Sequence, residues 1–156
     1  MVSFNALRPE GVLHMTRSLA LAVSLIAVGL LTTQSMAQMP RQSAPEEASV
    51  YFVTPAHGQV VPQTFTVVFG LSGMGVAPAG IEMENTGHHH LVVNGGDDIS
   101  LDMPLGDNVT HFGLGQTETT LTLPPGEHTL QLILGDFLHI PHDPPVKSEK
   151  ITVIVR

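Results

Sequence analysis

The chain has no cysteine and no tryptophan, a single tyrosine, and only six lysines and arginines against 14 aspartates and glutamates. Each shortage excludes something. Without thiols there is no disulfide and no thiolate metal site. The fold must therefore hold by packing alone, and any metal must be met by nitrogen and oxygen, with methionine sulfur as the one soft donor. With few bases and a formal net charge of −8, the chain lacks the cationic surface that nucleic acid or anionic lipid requires, since counterion release depends on lysine and arginine. One tyrosine and no tryptophan leave little for a sugar ring to stack on. What the chain has is histidine, nine in all.

The N-terminus is read as an address. Arg17 precedes an apolar run at residues 19–31 (LALAVSLIAVGLL), then polar residues, then the small-x-small sequence Ser35-Met36-Ala37. A basic flank, a short apolar core and a small-residue cut site are the parts of a cleavable signal peptide, here residues 1–37. The run falls short of the roughly 20 apolar residues that span a bilayer; an uncleaved N-terminal anchor is the alternative. Met15 is a candidate true start. Cleavage removes Arg8, Arg17 and Glu10, leaving four basic and 13 acidic residues and a net charge of −9. The expected location is the periplasm, with no membrane span after cleavage.

Residues 38–48 (QMPRQSAPEEA) are rich in proline, glutamine and glutamate without periodicity, and read as a linker. Residues 49–156 then form one domain. Strands are expected at 49–53, at 64–69, where Phe65, Val67 and Phe69 share a face, at 90–94, 119–123 and 128–134, and at 151–155. Residues 70–80 and the proline-interrupted 135–145 read as loops. Short alternating strands between Gly/Pro turns, with no helical stretch, predict an all-β, immunoglobulin-like antiparallel β-sandwich. In such domains a tyrosine near a strand start bonds back to the corner backbone, and His128 after Pro124-Pro125-Gly126 takes a comparable place.

On a strand, alternate side chains share a face. His88 and His90 therefore point one way, and His89 points the other way with Leu91. His139 and His142 sit three apart on a proline-stiffened loop, and His111 heads a glycine loop. The candidate metal ligands are His88, His90, His111, His139 and His142. Imidazole suits copper, zinc and nickel, and Cu(II) leads in intrinsic affinity, so copper is expected first and zinc second. Met74, Met83 and Met103 read as core filler or loop residues, with thioether ligation the alternative. His57 reads as a turn residue. His89 and His128 are open between structural and ligating roles. Asp97, Asp98, Asp102 and Asp107 read as solvated loop charge, whereas Asp136 and Asp143 are placed to orient a ring.

The stretches GMGVAPAG (73–80), NTGHHHL (85–91), HFGLGQTETTLTLPPGEHTLQLILGD (111–136) and HIPHDPPVKSEKITV (139–153) together resemble one family, domain-of-unknown-function family 4399, small exported bacterial proteins. The likeness covers about residues 50–155. It implies export and a β-rich domain, and no established activity. The family pattern falls here on His88, His89, His90, His111, Gly115, Gln116, Glu118, His128, Asp136, His139, His142 and Pro144. Members often carry a histidine two places before the His-Phe-Gly motif, where this chain has Val109.

Two function classes compete, with a third behind them. The first is an exported binding module that handles or delivers a metal ion. The second is a cell-envelope interaction module with a protein partner, structural histidines and no metal, of which a histidine-based pH sensor is a variant. The third is an enzyme, against which stands the lack of any serine, cysteine or paired-carboxylate constellation. Glu118 is the one acid beside a histidine loop to test as a base.

Overall fold

The structure is a computed structural model and describes residues 40–95 and 98–156; the expected signal peptide lies outside the described residues, as does Asp97. There is no helix among the described residues, and so none long and apolar enough to cross a membrane.

Among the described residues, nine strands form two sheets. The first sheet joins β1 (Ser49–Thr54), β3 (Thr64–Ser72) and β7 (Glu118–Thr122) in the order β1-β3-β7, all antiparallel. The second contains β2 (Val60–Val61), β9 (Ile151–Val155), β8 (Gly126–Gly135), β5 (Thr86–Val93) and β4 (Gly75–Val76) in that order, with β6 (Thr110–His111) also paired to β5. Two short pairings, β2 with β9 and β4 with β5, run parallel, so the expected wholly antiparallel arrangement holds for the long strands only.

The alternation read from the sequence sets the core. Phe65, Val67 and Phe69 of β3 meet Leu91 of β5, Leu130, Leu132 and Leu134 of β8, and Val153 and Val155 of β9 in one buried cluster. Each fully buried leucine contributes roughly 1.5–3 kcal/mol relative to exposure, so this row of side chains holds the two sheets together without covalent staples. A second, smaller cluster covers the outer face of β5 and β8, where Val92 and Ile133 pack against Leu105 and Val109. Strand β5 is consequently buried on both faces. That is why its histidines, expected at a strand end, lie within the strand and beneath other chain.

Residues 40–44, expected as part of a linker, run beside the proline-rich loop. Ala44 N donates to Asp143 O at 3.0 Å, and Asp143 N donates to Gln42 O at 2.9 Å.

His128 sits at the corner ahead of the best-packed part of β8. Its Nε2 donates to Pro124 O at 2.8 Å, and its Nδ1 accepts from the Asn94 amide at 2.9 Å. The same Asn94 accepts from Thr129 N at 3.0 Å. Both ring nitrogens are thus committed to structure. Replacing His128 with phenylalanine keeps the ring but strands a carbonyl and an amide. The expected cost is about 1–3 kcal/mol, read as a lower thermal midpoint with metal uptake unchanged.

Candidate metal centre

Strand β5 delivers two of the candidate ligands. His88 and His90 leave its outer face, pass over β8, and place their ring centroids 4.5 Å apart. His89 points the other way, into the core, with its ring 5.2 Å from Phe69. All three rings are fully buried.

Room for His90 comes from a missing side chain. Gly135 ends β8 opposite His88, and a Cβ at that position would fall 2.5 Å from His90 Cε1. Gly135→Ala is therefore expected to push the His90 ring out of place, because a buried ring cannot move aside cheaply. A variant that folds with a lowered melting temperature and reduced metal uptake is the expected outcome; unchanged uptake with a crystallographically unmoved His90 would contradict it.

The third ring comes from a tight turn. Asp136 is buried and its Oδ1 accepts from Leu138 N at 2.8 Å and Ile140 N at 2.9 Å. Asp136 O takes His139 N at 2.9 Å, and His139 sits at φ 66°. Few residues other than glycine take that left-handed conformation. The turn holds it and aims the ring inward. Asp136, expected to orient a ring directly, instead orients the backbone that carries one.

The fourth ring lies across the ladder. His111 of β6 pairs with His90 of β5, and the two ring centroids are 4.7 Å apart. His111 is exposed, whereas His139 is half-buried. His111 Nε2 lies 3.1 Å from Gly106 O. A carbonyl can only accept, so Nε2 carries the proton and Nδ1 keeps its lone pair, turned to the cluster. This is the carbonyl-fixed tautomer expected of a metal-ligating imidazole.

His139 Nδ1 is the meeting point. It lies 2.9 Å from His88 Nε2, 3.2 Å from His90 Nε2 and 3.1 Å from His111 Nδ1. One ring nitrogen carries either a single proton or a single lone pair, so these three contacts cannot all be hydrogen bonds. A shared cation would resolve the conflict. Nitrogens bound about 2.0–2.1 Å from one ion lie roughly 2.8–3.4 Å from each other at angles between a right angle and the tetrahedral value. The three spacings to His139 Nδ1 fall in that range. The donor atoms of His88, His90 and His139 all lie within 4.8 Å of one another, a grouping able to hold a metal ion; His111 stands outside that group, and its nitrogen contact with it is through His139 Nδ1.

Electrostatics keep the rings ready to ligate. Burial, reinforced by the neighbouring imidazoles His139 and His111, pushes His88 down to about 4. Burial and the charges His88, His111 and His139 would carry push His90 down to about 2. Burial also lowers His139, with His111 adding to the shift and Asp136 opposing it. Neutral imidazole is the ligating form. The arrangement has its own cost, since the Nδ1 atoms of His88 and His90 and both nitrogens of His89 are buried without a hydrogen bond. Each such group costs about 1–3 kcal/mol. An apolar side chain would avoid that penalty, so packing alone does not account for the rings.

The remaining expected positions lie elsewhere. His142 is fully buried, but its Nε2 lies 3.1 Å from Thr86 O and its Nδ1 3.5 Å from Leu134 O. It touches backbone at the start of the His88 strand and lies near enough to His88 to act on it through charge, but it is outside the ring contacts of the cluster. The three-residue spacing to His139 does not bring both rings to one point, because His142 follows the Gly135–Pro141 bridge that closes the turn and lays its ring against the backbone of Thr86 and Leu134. His57 Nδ1 accepts from Thr152 N at 3.1 Å, as a turn residue would. Met74 packs against the core, while Met83 and Met103 are exposed. Glu118 opens β7 in the other sheet and faces solvent. Asp102 and Asp143 lie near Arg41, a residue without any signal in the sequence that it belongs to the site.

The model of the family described as "Domain of unknown function (DUF4399)" matches residues 67–156, more than half of the chain and including every one of the four converging rings. Neither the curated proteins nor the solved structures contain a match.

Proposed function

This chain belongs to the DUF4399 family, whose description carries no activity, and from its own residues we propose that it is an exported metal-binding module holding one ion through His88, His90, His139 and His111. The observation that carries this is the convergence of three imidazole nitrogens on His139 Nδ1 at 2.9–3.2 Å, too many for hydrogen bonding, with the donor atoms of His88, His90 and His139 grouped within 4.8 Å as a metal-binding triad is. An all-nitrogen site favours copper first and zinc second. Export to the periplasm, argued from residues 1–37, supplies the compartment, and handling or delivery of the ion is the role. His111 is the most exposed of the four rings, with His139 half-buried beside it, which suits an ion that must be acquired and given up. The immunoglobulin-like reading of the sandwich is supported by His128, which bonds back to its corner as the expected tyrosine would.

The test is titration of the mature protein with Cu(II) and Zn(II) against competing chelators. One equivalent should bind, and the His88→Ala, His90→Ala double variant should bind none while still folding. His111→Ala should retain a weaker site, because three ligands remain and water can take the fourth position. Absence of stoichiometric binding in the wild type would favour the interaction-module reading.

A further inference from the structure

The four rings are carried by β5, β6 and the turn after β8, and one side chain outside all of them ties together the two loops that adjoin His139 and His111. Arg41 is largely buried, with 17% of its side chain exposed. Its Nε donates to Pro141 O at 3.0 Å, and its Nη2 donates to His142 O. Its Nη1 donates to Asp102 Oδ1 at 3.1 Å and lies 3.8 Å from Asp143 Oδ1. The planar guanidinium therefore spans two segments that are distant in sequence. One is the loop from His139 to Asp143. The other is the loop that holds Asp102, Leu105 and Gly106.

Those two loops are the ones that aim the accessible ligands. Leu105 N donates to His139 O at 2.9 Å, and Gly106 O fixes the His111 tautomer. We propose that Arg41 is a positioning residue for the metal centre, and that the N-terminal segment at residues 40–44 is a clasp setting the geometry of His139 and His111. The inference rests on the metal-binding reading for its consequence, but the clasp itself is a claim about ring position. The fork of a guanidinium matters here, because several acceptors in different directions must be met at once. A lysine offers the charge from a single point and can satisfy only part of the set. Residues that orient ligands in this way typically change metal affinity about 10- to 100-fold when removed.

The test uses the mature chain as wild type, Arg41→Ala and Arg41→Lys. Two quantities are read: the imidazole ring NMR signals of the metal-free protein, and Zn(II) affinity by chelator competition. In Arg41→Ala the His139 and His111 signals should move while those of His128 stay in place, and Zn(II) affinity should fall about 10- to 100-fold. Arg41→Lys should recover only part of both. A folded Arg41→Ala protein whose His139 and His111 signals and Zn(II) affinity coincide with wild type would overturn the proposal. Should the alanine variant fail to fold, Arg41→Lys and Asp102→Asn decide it by the same two readings. Should wild type take up no zinc, the metal reading falls, and the ring signals still decide whether Arg41 positions these two histidines.

Discussion

Replacing His139 with alanine is expected to abolish stoichiometric metal retention while leaving the sandwich folded. The magnitude follows from sharing. Structural four-ligand sites are worth roughly 10–16 kcal/mol in all, which is about 3–4 kcal/mol per ligand and a 10²- to 10³-fold loss of affinity. His139 should lie at the upper end, because its Nδ1 is the atom the other three nitrogens face. His111 should lie at the lower end, being exposed and replaceable by water. Competition titration against a chelator of known affinity measures both. The order of the two losses is the specific content: if His111→Ala costs as much as His139→Ala, the ranking by burial and centrality is wrong. Stability of the metal-free His139→Ala protein should change little, since the ring makes no contribution to either apolar cluster.

Stability of the metal-free protein is expected to fall as the medium is acidified from neutrality. His88 and His90 are held down to about 4 and about 2 in the folded chain, against about 6.5 when unfolded. Above pH 6.5 both states are neutral and there is no slope. Between pH 6.5 and 4 the unfolded chain takes up protons that the folded chain refuses, so unfolding gains free energy from acid. Each ring contributes at most about 1.4 kcal/mol per pH unit in that window. Below pH 4 His88 protonates in the folded state and its share of the slope ends, while that of His90 continues. Urea denaturation at pH 7.5, 6 and 5 should show the midpoint falling, and a His88→Leu, His90→Leu variant should flatten the dependence. Saturating metal should move the loss to lower pH, because a bound ion competes with protons for the same lone pairs. A flat profile in wild type would show that the rings are not buried in the neutral form.

How much of this was legible in the sequence depends on the kind of information. Strand positions followed from period-two alternation: Ile151–Val155 and the inward row Leu130, Leu132 and Leu134 stand where the pattern put them. Strand β5 was harder. It begins at Thr86, because a strand covered on both faces shows no alternation, and a run of three histidines does not look like something to bury. The opposed directions of His88 and His89 were readable from the pleat. The placement of His139 was not, since a left-handed φ at a non-glycine residue depends on Asp136 accepting two backbone amides, and that is a tertiary outcome of the turn. His142 shows the same limit, as its spacing from His139 says nothing about the direction of its ring. Arg41 is the clearest case. Residues 38–48 carry no periodicity, so nothing local tells a clasp from a linker; only its partners 60 or more residues away do.

The claim on which the rest depends is that imidazoles from β5, β6 and the turn after β8 share one cation. The most direct measurement is X-ray absorption on untagged protein recovered from its native compartment, with elemental analysis of the same sample. The expected result is one copper or zinc per chain, surrounded by three or four nitrogen ligands at about 2.0–2.1 Å with imidazole scattering. Protein that carries no metal as isolated, and that takes up neither Cu(II) nor Zn(II) to one equivalent at pH 7.5, would contradict it.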